Sequence, residues 1–114
     1  EPKGRFLSRG FPILTRAKEN DPTLDYIHLH YLDVDEAAVL ADALARNTAV
    51  LHLDLSGCPS CDIGDDGAAA LAPFLRTNAA LRSLLLTDNK IGARGAASLA
   101  EALADNSALV WLDL

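Results

Sequence analysis

The chain is short of aromatic residues, of cysteine and of positive charge. Three phenylalanines, two tyrosines and one tryptophan make up 5% of its 114 residues, and methionine is absent. A core cannot rest on large rings, so it must be assembled from leucine and from the 20 alanines. Leucine and alanine together suit helices laid tightly against something flat. The only cysteines are Cys58 and Cys61, too few for a disulfide framework. An intracellular, reducing and cytoplasmic setting is therefore expected. The formal net charge is −6, the wrong sign for nucleic-acid binding. No stretch approaches 18 consecutive apolar residues, so no membrane-spanning helix is expected, and no signal-peptide pattern is visible. This length fits one domain.

What the chain has in abundance is repetition. The pattern L-x-x-L-x-L occurs as Leu24, Ile27, Leu29; as Val50, Leu53, Leu55; as Leu81, Leu84, Leu86; and as Leu109, Leu112, Leu114. The first residues are 26, 31 and 28 apart. Downstream, Leu40 and Leu44, Leu71 and Leu75, and Leu99 and Leu103 each place two leucines on one helix face. These helical stretches end at Asn47, Asn78 and Asn106, and Asn20 takes the same place before the first copy. Their expected role is to close each helix in the left-handed conformation that asparagine tolerates. Each unit thus reads as a short strand followed by a helix. Helix starts are expected at Asp35 and Asp65, where a carboxylate can cap free N–H groups. No unit can bury its apolar side alone. Stacked units form an α/β solenoid, right-handed, with parallel strands on the concave face and helices on the convex face.

The segment Asn89-Lys90-Ile91-Gly92-Ala93-Arg94-Gly95-Ala96, set between Leu81–Leu86 and Leu99, resembles the long leucine-rich repeat of the ribonuclease-inhibitor class. Asn20-Asp21-Pro22-Thr23-Leu24, followed by Leu40 to Asn47, resembles the repeat domain of the tropomodulins, which cap actin-filament pointed ends. The likeness covers residues 21–114. It implies a turn-to-turn asparagine at Asn89, a column that holds Leu32 in copy one and a cysteine in copy two, so this ladder should be incomplete.

Residues 1–22 match the repeat poorly and read as a capping segment, with residues 23–114 forming three strand–helix units plus a fourth strand. Pro12 to Asn20 reads as a short helix, with Phe6, Phe11, Ile13 and Leu14 covering the first edge of the core. At the other end Trp111, Leu112 and Leu114 form a strand without its helix. The expectation is that the natural chain continues past Leu114, or that another chain covers this edge, with self-association through it as an alternative.

Cys58-Pro-Ser-Cys61 resembles the dithiol motif of glutaredoxins, but Asp62, Asp65 and Asp66 would oppose thiolate formation. As half a zinc site it needs two further ligands, and His28, His30 and His52 belong to strands on the concave side. Neither a metal nor another cofactor is expected. Repeat two is three residues longer than repeat three, so the motif reads as an insertion in which Cys61 takes the place of Asn89.

Three columns should cross the concave face: Tyr26, His52, Ser83 and Trp111; His28, Asp54, Leu85 and Asp113; and His30, Ser56 and Thr87. Neighbouring strands about 4.8 Å apart would let His28 meet Asp54 and His30 meet Ser56. Serine and aspartate would then be served by different histidines, so no catalytic triad is expected. Tyr26, His28, His30, His52, Asp54, Leu85 and Trp111 are the candidate partner-binding residues. Asp33, Asp35, Glu36, Asp42, Asp65, Asp66, Glu101 and Asp105 should form a solvated acidic convex face, and Pro73 should face water and kink its helix. The function expected is a non-enzymatic protein-interaction module. Its alternatives are an actin-binding, pointed-end-capping protein of tropomodulin type and a regulator that inhibits or activates a bound enzyme.

Overall fold

A computed structural model describes residues 5–29, 32–57 and 63–114, with side chains from Pro12 onward. Eight elements alternate along it: α1 (Arg5–Lys18), β1 (Tyr26–His28), α2 (Val34–Leu44), β2 (His52–Asp54), α3 (Gly64–Thr77), β3 (Ser83–Leu85), α4 (Ala93–Leu103) and β4 (Trp111–Asp113). The strands pair in parallel and in sequence order. A thickness of 17 Å, against 35 and 34 Å in the other directions, leaves room for one sheet and one helical layer.

The repeat leucines build the core as their spacing requires. Ile27, Leu53 and Leu84 point inward from the strands, and Leu40, Leu44, Leu71, Leu75 and Leu99 point inward from the helices; all are at most 1% exposed. Alanines at 37, 41, 43, 68, 72 and 102 fill further buried helix positions. Their small side chains let α2, α3 and α4 lie close to the sheet and to one another. Phe74 is the one aromatic ring buried among the described side chains, at 2% exposure.

The N-terminal helix is longer than Pro12–Asn20: it runs Arg5–Lys18 and continues through Pro12. Leu14 and Ala17 are buried and Ile13 packs on the core, while the side chains of Phe6 and Phe11 lie outside the described residues. Beyond this helix, the Arg16 guanidinium lies 2.7 Å from Asp21 and, with the Thr23 amide and hydroxyl, holds the Asp21 carboxyl down to about 2.

The asparagines do not close their helices in the left-handed conformation expected, Asn20 apart. Only Asn20 is left-handed, with φ 55°; Asn78 is extended at φ −74°, ψ 126°. Asn47, Asn78 and Asn106 turn their side chains into the stack instead. The Asn78 amide donates to the carbonyls of Leu44 and Asn47, and its Oδ1 accepts the N–H groups of Ala80 and Leu81. Asn106 repeats this on Leu75, Asn78, Ala108 and Leu109. Asn47 donates to Ala17 and accepts from Ala49 and Val50. Each asparagine therefore ties the end of one helix to the entry of the next strand. In repeat one this position belongs to Asp21, not Asn20: Asp21 lies three residues before Leu24, as Asn47 does before Val50, and it accepts the Thr23 N–H.

A second junction lies at the start of the helices. Asn89 is 2% exposed and donates to the Leu55 carbonyl at 2.7 Å, while its Oδ1 accepts from Ile63. Asp88 and Lys90 on either side are both left-handed, which turns the asparagine inward. Gly64, at φ 60°, gives its N–H to the Asn89 carbonyl at 2.9 Å; a side chain there would be strained. Leu32, in the same column, is buried with the core. Cys58 and Cys61, and with them the reading of an insertion, lie outside the described residues.

Two helix starts differ from expectation. The cap of α2 is Asp33 rather than Asp35: its Oδ1 accepts the Glu36 N–H and Glu36 accepts the Asp33 N–H, a reciprocal capping box. Glu36 is consequently buried instead of solvated. Asp65 lies in the first turn of α3 but caps α4, accepting the N–H groups of Gly92 at 2.7 Å and Gly95 at 3.0 Å. A Cβ on Gly95 would come within 2.6 Å of that oxygen, so glycine is what permits the approach. Arg94 stands 3.9 Å from Asp65 and 3.1 Å from Asp66. Substituting Asp65 by alanine removes the side-chain cap on α4's Gly92 start, and should cost about 1–2 kcal/mol. Asp65→Asn keeps an acceptor oxygen and should lose less, which paired urea melts would measure. Exposed Pro73 lies within α3, which continues to Thr77.

Candidate functional site

The register of the sheet assembles the first two expected columns. Tyr26 aligns with His52, His52 with Ser83 and Ser83 with Trp111. His28, Asp54, Leu85 and Asp113 align in the same way. The central residue of each strand faces the helices, so its two neighbours are directed to the opposite side. The eight outward positions carry two carboxylates, two imidazoles, a phenol, an indole, a hydroxyl and one leucine, but no lysine or arginine.

At one end, the rings of Tyr26 and His28 sit 6.2 Å apart and tilted by 54°. Tyr26 is half exposed. His28 Nε2 lies 3.7 Å from Asp54 Oδ2, and Asp54 Oδ1 accepts the Ser56 N–H at 3.0 Å. One strand further, His52 Nδ1 and Ser83 Oγ share a hydrogen bond of 2.8 Å. In the third column Thr87 donates its hydroxyl proton to Ser56 at 3.0 Å. His30, the remaining candidate, lies outside the described residues. The described pairs set serine on His52 and aspartate on His28, an arrangement that fixes side chains on a surface rather than relaying a proton to a nucleophile. Among the described residues no cluster of three or more metal-ligating side chains occurs.

At the other end, Trp111 is 62% exposed and Asp113, two residues on, is exposed beside it. Leu85 is half-buried, so its apolar surface is smaller than sequence alone suggests. Ser83 and Asp113 share the columns of the candidates and belong with them. Their signal was present in the repeat alignment, which predicts the alternate positions of every strand once one strand is placed. The helical face carries shallow grooves on either side of Pro73, of about 420 and 260 Å³. Among the described residues no helix is long and apolar enough to cross a membrane.

The family described as Leucine Rich repeat matches residues 60–72 and 77–100. Tropomodulin-4 of Mus musculus is 32% identical over 103 residues, covering 88% of this chain and 29% of that protein. Tropomodulin-4 of Homo sapiens is 31% identical over the same shares. Among solved structures, leiomodin-1 actin-binding site 2 is 27% identical with a TM-score of 0.80, across 98% of this chain and 62% of that one. The tropomodulin C-terminal domain of Caenorhabditis elegans has a TM-score of 0.77 at 18% identity, over 90% of this chain and 61% of that one, a likeness of fold. The chain thus spans under a third of the curated tropomodulins it matches.

Proposed function

We propose, from the premise that the chain is a tropomodulin-like leucine-rich-repeat protein, that it is a non-enzymatic module that binds a protein partner on the concave face of its sheet. One observation carries this reading. A single register line, Tyr26–His52–Ser83–Trp111, runs across all four strands and leaves two large aromatic side chains at least half exposed at its ends. Tyrosine and tryptophan anchor interfaces because they bury much area at little entropic cost. Between them the His52–Ser83 bond holds the middle of the line in place.

A second reading names actin as the partner. It is supported by the likeness to leiomodin-1 actin-binding site 2, whose fold spans nearly the whole of this chain. Co-sedimentation with actin filaments, and titration of monomeric actin, would test it directly. The double substitution Tyr26→Ala and His52→Ala tests the face in the same assay. Its expected effect is a loss of partner affinity of about tenfold or more, since anchor residues are each worth above about 1 kcal/mol. Undiminished binding by the folded double variant would move the interface off this face. No binding of either form of actin would remove the second reading and leave the first.

A further inference from the structure

The geometry points to an arginine-bearing segment as the ligand of the β4 end of the concave face, with its guanidinium held between the Trp111 ring and the Asp113 carboxylate. This rests on the concave-face reading and deepens it by naming the chemistry of the partner. Residues two apart on a strand stand on one face, about 6.6 Å apart along the chain. Trp111 and Asp113 therefore form a neighbouring π-surface and anion, both open to solvent. On the adjacent strand their register partners are Ser83, a hydroxyl, and Leu85, a half-buried apolar floor. A planar cation meets each of these groups at once. Its flat face stacks on the indole, its edge donates two parallel hydrogen bonds to the carboxylate, and its methylene stem covers the leucine.

The charge pattern of the face favours the same ligand. Its two carboxylates, Asp54 and Asp113, face no lysine or arginine at the eight outward strand positions. Asp54 already lies against His28 and accepts from the Ser56 amide. Asp113 is the carboxylate at the exposed, aromatic end. An acidic segment would meet like charge there, and a wholly apolar one would strand the carboxylate under it. Arginine fits better than lysine, because an ammonium is a point charge that holds its water and cannot stack.

The 114 residues contain one tryptophan, so its indole N–H gives a single resolved NMR signal. The probes are three short glycine–serine peptides carrying one central arginine, lysine or citrulline, titrated at low ionic strength. The arginine peptide should shift the Trp111 indole signal saturably, the lysine peptide less, and the citrulline peptide not at all. Asp113→Asn should weaken the arginine response about two- to fivefold, the range of an exposed cation–π and ion-pair site, and added salt should weaken it too. An indole signal that stays still with arginine, or moves equally with citrulline or lysine, overturns the assignment. If partner binding depends on Tyr26 and His52 while Trp111 is silent to arginine, the concave-face reading stands and this one falls. If Trp111 responds to arginine while the Tyr26 and His52 substitutions leave partner binding unchanged, the broader reading is the one that fails.

Discussion

Replacing Asn78 with alanine is expected to destabilise the protein by about 3–5 kcal/mol, enough to threaten folding of a domain this small. The side chain is 7% exposed and makes four hydrogen bonds to main-chain groups of two repeats. Its removal leaves the Asn47 carbonyl and the Ala80 and Leu81 amides short of a partner, and the Leu44 carbonyl with the Asn47 N–H alone, where water enters poorly. Each such buried group costs about 1–3 kcal/mol, partly offset as the loop relaxes. Asn78→Asp separates the two halves of the bond set. It retains an acceptor for the two amides but turns a carboxylate oxygen toward two carbonyls, so it should also destabilise. Chemical denaturation followed by circular dichroism gives the midpoints. A loss below about 1 kcal/mol for the alanine variant would show that the asparagine ladder is replaceable by solvent. Asn20→Gly is the control: Asn20 is exposed and left-handed, a conformation glycine tolerates, and its side chain bonds to Thr48, so its loss should stay near the value of a surface contact.

Phe74→Ala should cost about 3–5 kcal/mol by a different mechanism, the opening of a cavity. The ring sits at 2% exposure on α3 and shares the lining of one groove with Ala38 and Ala41 of α2. Alanines cannot swing into the space a lost ring leaves, because they have no side-chain torsion to change. The site can collapse only if α2 moves toward α3, and both helices are tied by their asparagines to the sheet. Phe74→Leu fills most of the volume and should lose far less. If the alanine and leucine variants unfold at the same denaturant concentration, Phe74 is not a packing element and the two helices are held by something else.

These two residues were legible in the sequence to different degrees. The spacing of Asn78 from Asn47 and Asn106 marks the residue, but not the bridging role its side chain takes. Spacing shows that a residue type recurs; it does not show which way the side chain turns. A left-handed helix end and a bridge between repeats both favour asparagine, for its αL tolerance and for its paired donor and acceptor respectively. Backbone angles separate the two, and the extended conformation of Asn78 decides for the bridge. Asp21 is hidden in the sequence because an adjacent asparagine, Asn20, has nearly the same spacing; the hydrogen bond to Thr23 shows which residue fills the position. The capping box at Asp33 and Glu36 is legible in the sequence, since Ser, Thr, Asp or Asn followed three residues later by Glu or Gln is its ordinary signature. Asp65 was not within reach. The N–H groups that donate to it are 27 and 30 residues away, and nothing local to α3 announces that its carboxylate serves α4.

By itself the sequence determined the architecture of this protein. Leucine at period two and then at period 3.6, repeated at 26, 31 and 28 residues, admits a stack of strand–helix units and little else, because each unit must bury one face against its neighbours. It also determined the columns of the concave face, since parallel strands joined by equivalent crossovers align equivalent residues. What only the tertiary structure decided is how those units are tied together. Asparagine side chains cross from strand entries to earlier helix ends, and one aspartate closes the helix of the following repeat. Such bonds depend on directions and distances between groups roughly 30 residues apart, and a pattern of residue types carries neither.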